Sequence, residues 1–436
     1  MEFSSALWSV PFLGIIFSMS FLPLLCPKLW EKYSGYVPVF WGGAYLTAVF
    51  ICFGASEIST AICEPILADY IPFIVLISTL YIVSGGIFVD FPRGCGYIFN
   101  TLFLFFGSII AGWIGTTGAA ALLIRPFLRA NLGRRHTTHL MVFFILIIAN
   151  IGGAATPLGD PPLFIGFLKG IDFFWFIKNL YPFLFSTITI LCLLFLVIDY
   201  FLFKMDLGIL YEETNEPFFK INGYMNIILI AIALLTVIFC NFDGTFRLCE
   251  KSFSYSSLLR NIILSIVSVL SLKFTKAEIR EKNSFSMAPI KEIAELFAGI
   301  FITVTPIIEI LHQGSNGAFG DLFKWIAPGG EFVASRCFWV SGILSSILDN
   351  APTFLIFFHL TSGDPNILMT IKSNILTAFS ISTVFMGALT YIGNAPNLIV
   401  KSISISYGLK VPSFLGYMVW SITILLPIFI IISYFL

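Results

Sequence analysis

Asp160 and Asp349 are carboxylates set in runs of sequence otherwise made of apolar side chains, glycines, hydroxyls and amides. Gly159-Asp160-Pro161-Pro162 has a local logic. Glycine permits a turn, aspartate caps a helix start, and proline fits the first helical positions, where no amide donor is needed. Asp349-Asn350-Ala351-Pro352-Thr353 repeats the capping part of that arrangement, Asp and then Pro within the first helical positions. Around the acids fall two polar clusters: Thr116, Thr117, Asn150, Thr156 and Asp160, and Ser345, Ser346, Asp349, Asn350, Thr390, Asn394 and Asn397. Oxygen atoms dominate both, which suits a hard cation or a proton, so Asp160 and Asp349 are candidate Na⁺ ligands. A carboxylate inside an apolar span is expensive unless it is used or paired, and so reads as functional. The competing reading makes both acids plain helix caps at the membrane surface, and makes Asn350, Asn394 and Asn397 partners for loose backbone at a helix break. The threonines fit either reading.

The two clusters are related. Gly153-Ala154-Ala155-Thr156-Pro157-Leu158-Gly159-Asp160-Pro161-Pro162 aligns without a gap on Gly387-Ala388-Leu389-Thr390-Tyr391-Ile392-Gly393-Asn394-Ala395-Pro396, so that Asp160 falls on Asn394. The same offset carries Gly115-Thr116-Thr117-Gly118 onto Asp349-Asn350-Ala351-Pro352. A duplicated pair of interrupted apolar segments is the sequence mark of a secondary transporter.

The elements that must position these residues are membrane helices. The chain has 436 residues, 58% of them hydrophobic and 11% charged, with mean hydropathy +0.95, too little polar surface for a water-facing globule. Segments near 5–25, 37–53, 71–89, 140–168, 173–203, 222–241, 256–272, 292–311, 374–404 and 413–435 are each long enough to cross, giving about ten spans. The first has no basic residue before Lys28, so it reads as a retained helix rather than a cleaved signal. Segments 97–128 and 337–361 are split in the middle into halves too short to cross, so each reads as a re-entrant hairpin. Both 140–168 and 374–404 read as broken helices, with the first unwinding near Thr156 and restarting after Asp160. The fold class expected is an all-α polytopic membrane protein with inverted-topology repeats.

Charge sets the orientation. With the N-terminus outside, sixteen of the 24 Lys and Arg fall inside and eight outside. The loop 54–70 holds Glu57, Glu64 and Asp69 and no basic residue, as an outside loop can, whereas Glu212, Glu213 and Glu216 sit in an inside loop. Arg93 and Arg129 to Arg135 put the first hairpin's ends inside; Asp321, Lys324 and Asp364 put the second's outside. Five spans lie between the hairpins, and an odd number inverts the second copy. The expected divisions are N-terminal spans (1–70), a first inverted repeat (71–221), connecting spans with a charged cytoplasmic linker (222–290), and a second inverted repeat (291–436). An integral protein of a bacterial inner membrane is expected, its partners being lipid and a small solute, with no nucleic acid.

Other residues carry weaker signals. Eight cysteines without C-x-x-C spacing read as small buried hydrophobes, with pairing conceivable only for Cys63 and Cys249. Glu309 and His312 end a span and read as interfacial, with a second proton site as the alternative. Arg125 reads as a snorkelling cation, with a substrate-anion role as the alternative. Zinc-protease, nucleophile-elbow and phosphate-loop motifs are absent from the sequence, so an enzyme is not expected.

Over roughly 70–436 the paired hairpins and interrupted helices resemble the ion transporter superfamily. It groups divalent anion/sodium symporters, citrate carriers, arsenite efflux subunits and NhaD-type sodium/proton antiporters. The resemblance implies a homodimer and a cation site in each repeat, formed by its hairpin tip and broken helix. That places Thr116, Thr117, Thr156 and Asp160 in one site and Asp349, Asn350, Thr390 and Asn394 in the other, with substrate between them. Dicarboxylate carriers of the superfamily hold Ser-Asn-Thr at both tips; Gly115-Thr116-Thr117 and Asp349-Asn350-Ala351 do not match, and Asp349 would repel an anion. The acidic tip is more similar to the antiporter and arsenite-efflux branches. Three activities are therefore expected, in this order: exchange of Na⁺ or Li⁺ for H⁺, with Na⁺ and H⁺ as coupling ions and no other cofactor; Na⁺- or H⁺-coupled import of citrate or another small carboxylate; and arsenite efflux.

Overall fold

The computed structural model describes residues 5–91, 96–206, 220–240, 242–248, 251–314, 317 and 320–436. Helices α1 (Val10–Leu25), α2 (Pro27–Tyr33) and α3 (Tyr36–Phe53) lead into α4 (Ala55–Glu64). From α4 the chain passes through a π-helical turn at Pro65–Tyr70 into α5 (Ile71–Ser84). The expected outside loop at 54–70 is thus helix, and the rod Ala55–Ser84 runs 30 residues. Pro65 removes one amide donor, and the widened turn lets the rod continue past it. Glycines 85 and 86 end α5, and strand β1 (Phe88–Asp90) follows.

The first hairpin is α6 (Tyr97–Ile114) and α7 (Thr116–Ala130). At 18 residues, α6 is long and apolar enough to cross by itself, contrary to the expectation of two short halves. What makes it an arm of a hairpin is the turn at Gly115, whose φ of 84° and ψ of 144° favour glycine. Next come α8 (Thr138–Ile147), a 3₁₀ stretch at Ile151–Ala155 and α9 (Pro161–Leu168). The unwinding therefore begins before Asn150, earlier than Thr156.

Helix α10 (Phe173–Asp206) precedes β2 (Lys220–Asn222), which pairs antiparallel with β1. Then follow α11 (Tyr224–Phe239), the ribbon β3 (Thr245–Leu248) with β4 (Lys251–Ser254), α12 (Tyr255–Phe274) and the linker helix α13 (Ala277–Lys282). Helix α14 (Ala288–Thr303) bends by 43° into α15 (Thr305–His312), and α16 (Gly320–Ile326) follows. The second hairpin is α17 (Ala334–Leu348) and α18 (Asn350–Thr361). After α19 (Pro365–Met369), the second broken helix is α20 (Ser373–Met386), a 3₁₀ turn at Gly387–Leu389 and α21 (Ala395–Ser406); α22 (Phe414–Phe435) closes the chain.

Eight helices among the described residues are long and apolar enough to span a bilayer, nine with the bent α14–α15 pair. The protein is an all-α polytopic membrane protein. Its outward faces on α10, α11, α12 and α22 carry exposed Leu193, Phe201, Leu235, Ile266 and Ile430, as lipid requires.

Packing follows a swap between the repeats. Helix α9 packs on α18, and α21 packs on α7. In the repeat, α21 is the counterpart of α9 and α18 the counterpart of α7, so each restarted helix lies against the other copy's hairpin. Helices α1, α3, α4, α5, α11, α12 and α14 form a flanking group, which meets this crossed core through α5 on α7 and α1 on α17.

Cys63, one of the two cysteines for which pairing is conceivable, is disulfide-bonded and lies in α4 rather than in a loop; its partner lies outside the described residues, as does Cys249. With residues 54–70 outside, as the charge distribution leads one to expect, Cys63 would lie in an oxidising compartment, where a disulfide persists. Arg93, Cys95, Glu212, Glu213 and Glu216 also lie outside the described residues, as does the side chain of His312.

Candidate ion site

Four helices start at the centre of the molecule. Helices α7, α9, α18 and α21 begin just after Gly115, Asp160, Asp349 and Asn394. The related positions share backbone conformation: φ/ψ of −143°/145° at Asp160 and −154°/135° at Asn394, and 84°/144° at Gly115 and 80°/152° at Asp349. Thr156 Oγ1 donates to the Gly112 carbonyl, and its counterpart Thr390 Oγ1 donates to the Ser346 carbonyl, pinning each break to its own hairpin. A side chain at Gly159 or Gly393 would collide with the Gly153 or Gly387 carbonyl, so only glycine lets the two sides of each break touch.

Asp160 stands at the start of α9 but makes no capping bond to its own helix. Its carboxylate is turned instead to three neutral donors. Thr116 Oγ1 donates to Oδ1 at 2.8 Å, Asn350 Nδ2 to Oδ2 at 2.6 Å, and Asn394 Nδ2 to Oδ1 at 3.2 Å. The reading of Asp160 as a plain surface cap fails on both counts, since the residue is only 2% exposed. Two of its three donors come from the other repeat, so the two expected clusters are one. Asn350 is held by Ser345 Oγ, which donates to its Oδ1 at 2.8 Å. Asn150 Nδ2 donates to Asn397 Oδ1 at 2.7 Å, and Asn397 Nδ2 reaches the Gly387 and Thr390 carbonyls at 2.9 Å each. Asn150, Asn397, Thr156 and Thr390 thus hold the two breaks in register and leave Asp160 to Thr116, Asn350 and Asn394.

Asp349 differs. Its carboxylate faces the first backbone amides of α18, accepting from Ala351 at 3.5 Å, so it keeps a weak version of the cap role. The two acids are neighbours through Asn350, which follows Asp349 in the chain and bonds to Asp160.

Each acid lines a cavity, and the cavities correspond. One, about 30 Å³, is lined by Ile114, Gly115, Leu158, Asp160, Pro161 and Phe164, and Thr116 and Thr117 also open onto it. The other, about 130 Å³, is lined by Leu348, Asp349, Ile392, Ala395 and Leu398, with Trp30 and Glu292 at its far side. Leu348, Asp349, Ile392, Ala395 and Leu398 are the repeat counterparts of Ile114, Gly115, Leu158, Pro161 and Phe164 in turn, so the acid stands on the broken helix in one cavity and on the hairpin tip in the other.

From residue 2 to residue 436 the chain matches the family described as "Putative citrate transport". The chain belongs to that family. No curated protein matches it. Membership makes it one of a transporter family, in keeping with its paired broken helices.

Two further buried acids in this family member, Asp199 and Asp206, went unread in its sequence. Asp199, in α10 and fully buried, accepts from Arg134 Nη2 at 2.5 Å, His139 Nε2 at 2.9 Å and Asn100 Nδ2 at 2.8 Å. Asp206, one helix end further, pairs with His136 Nδ1 at 2.8 Å. This network ties the α7–α8 loop to α6 and α10. Its signal was a lone Asp in the apolar run 173–203, which the rule on intramembrane acids would have flagged. Arg125 donates to the Ala121 carbonyl at 3.2 Å and stays partly exposed. Glu309 lies in α15, away from the central cluster.

Proposed function

We propose that the chain is a cation-coupled secondary transporter in which Asp160 carries the coupling ion, exchanging Na⁺ or Li⁺ for H⁺. The observation that supports this is the donor set: a fully enclosed carboxylate with one hydroxyl and two amides on it and, among the described residues, no Lys, Arg or His paired to it. A buried carboxylate is tolerable when protonated or bound to a cation, and costly when bare. The positive ends of α7, α9, α18 and α21 ease the brief ionised state. Competition of H⁺ and Na⁺ for one carboxylate enforces exchange, because the loaded forms are the neutral ones. Thr116 suits both, since its hydroxyl can donate to the carboxylate or accept from the acid. Alternating access would come from the hairpins and broken helices of repeats 71–221 and 291–436 moving against the flanking helices.

The family description favours a second reading, in which the same ion drives import of citrate or another small carboxylate. Everted vesicles separate the two. Under the first reading, Na⁺ or Li⁺ collapses a respiration-generated pH gradient, and Asp160→Asn abolishes the response. Under the second, Na⁺ alone leaves the gradient intact, and labelled citrate accumulates in right-side-out vesicles in an Asp160-dependent way. Neither response from the wild-type protein rejects both.

A further inference from the structure

A large cavity lies away from the ion site, on the side of the molecule where Cys63 stands. It has a volume of about 720 Å³ and is walled by Ile71 of α5, Phe167 and Leu168 of α9, Ile238 of α11 and the β3–β4 ribbon. Leu67 and Ala68, four and five residues past the disulfide-bonded Cys63, also line it, on the side that the charge distribution sets outside. Into this space projects Arg260, from the second turn of α12.

Arg260 is 7% exposed, so it does not snorkel to water. Its guanidinium carbon lies 5.5 Å from the centroid of the Phe167 ring, a cation–π contact that offers its N–H donors no oxygen acceptor. Its Nε has no hydrogen-bond partner, and no described Asp or Glu forms an ion pair with it. Asp172 also lines the cavity; it is exposed at the rim, where its Oδ1 accepts from the Trp175 amide at 2.8 Å to cap α10. The positive end of α12, with Ser256 and Ser257, faces the same space. A fork of donors, buried and without an acid, matches a planar or tetrahedral oxyanion.

The cavity is also in line with the ion site. Helix α5 gives Ile71 to it and Leu76, Ile77 and Leu80 to the small cavity at Asp160; α9 gives Phe167 and Leu168 to it and Pro161 and Phe164 to the small one. Seven residues of helix separate Asp160 from Phe167, roughly 10 Å at 1.5 Å per residue. We infer that Arg260 is the anchor of an oxyanion site at the outer mouth, one that holds a carboxylate or phosphate group about two helical turns outward of Asp160. The anion comes from a soluble carboxylate or from a lipid headgroup, and the site stands whichever ion Asp160 carries.

Two measurements on the purified full-length chain test it. In the first, citrate and inorganic phosphate are titrated as probes of thermal stability, and nanodiscs of phosphatidylglycerol are compared with phosphatidylcholine. Saturable stabilisation by a soluble anion, weakened at least tenfold in Arg260→Gln and retained in Asp160→Asn, supports a soluble ligand. Selective stabilisation by phosphatidylglycerol, lost in Arg260→Gln, supports a lipid ligand. In the second, the wild-type protein alone is labelled with phenylglyoxal and Arg260 is followed by peptide mass spectrometry. Protection of Arg260 by citrate, phosphate or phosphatidylglycerol is expected even if Arg260→Gln does not fold. Unchanged labelling of Arg260 under all three overturns the site, as does anion stabilisation that Arg260→Gln leaves intact. Loss of ion exchange in Asp160→Asn with Arg260 still protected separates the two proposals.

Discussion

Asp160 and Asp199 are both buried carboxylates that accept three side-chain hydrogen bonds, yet they sit in opposite electrical situations. Asp199 meets Arg134 at 2.5 Å and His139 at 2.9 Å, so protein atoms match its charge. Asp160 meets Thr116, Asn350 and Asn394, which orient it and carry no charge. The difference teaches which acid is structure and which is available to an ion. Where a cation is built in, the pair is a bolt between α10 and the α7–α8 loop; where only dipoles are built in, the carboxylate is left without a countercharge from the described residues, which is what the proposed ion-carrying role requires.

The strongest test of that contrast replaces each acid by its amide. Asp160→Asn keeps the shape and removes the charge, and its new amide group must face one of the donors Thr116, Asn350 and Asn394. The purified protein should therefore stay folded and melt a few degrees lower while ion-driven transport falls at least a hundredfold. Asp199→Asn takes from buried Arg134 its closer carboxylate and leaves it Asp206 at 3.6 Å; breaking such a buried pair costs up to about 3–5 kcal/mol. It should appear as loss of folded protein, with residual transport proportional to what folds. If the two variants exchange phenotypes, the assignment of roles is reversed.

Thr116→Val sharpens the same contrast at smaller cost. It removes one hydrogen bond to a charged acceptor, worth about 1.5–3 kcal/mol. The apparent Na⁺ affinity in a transport assay should fall roughly ten- to a hundredfold, with melting little changed; Thr116→Ser should restore it. Equal affinity in Thr116→Val would mean that the hydroxyl does not serve the ion.

How much of this was readable follows from range. The breaks and hairpin turns stood out because Gly, Pro, Asp and Asn interrupt apolar runs, and the gap-free repeat showed which breaks correspond. The bonds from Asn350 and Asn394 to Asp160 join positions far apart in the chain and leave no local trace, so the sequence suggested two clusters where folding makes one. Arg134 and Arg260 were counted only as loop or flank charges, because burial is a tertiary property that charge counting does not see. The helix through 54–70 was missed because Glu57, Glu64 and Asp69 made the stretch read as an outside loop, although it continues as helix through a π turn at Pro65–Tyr70.

The repeats themselves offer a second comparison, in packing. In the first, Gly152 lies against Ser108; at the matching positions of the second, Met386 lies against Gly342, so the small residue has changed sides of the same contact. Gly342→Ala would place its methyl on the Met386 side chain and should destabilise by about 1–3 kcal/mol through overpacking. Met386→Ala in the same chain should recover most of that, which a double-mutant cycle on thermal melting reads directly. No recovery would place the conflict in the backbone rather than in that side chain.

The smallest effect, and the most diagnostic of the symmetry, concerns the hairpin tips. Gly115 and Asp349 share a conformation, φ near 80° with ψ near 150°, that is almost confined to glycine. Holding a non-glycine residue there costs about 1–3 kcal/mol, against which glycine's greater unfolded entropy offsets roughly 0.5–1 kcal/mol. The weak cap on Ala351, at 3.5 Å, adds little. Asp349→Gly should therefore raise stability by about 1 kcal/mol, visible as a melting temperature a few degrees higher. Its carboxylate lines the 130 Å³ cavity that Glu292 also lines, so the same variant should slow transport. A protein both more stable and less active would mean that the strain is kept for the sake of the charge. If Asp349→Gly instead melted earlier and transported at full rate, the tip acid would be a helix cap and nothing more, and Asp160 would be left as the single ion carrier of the pair.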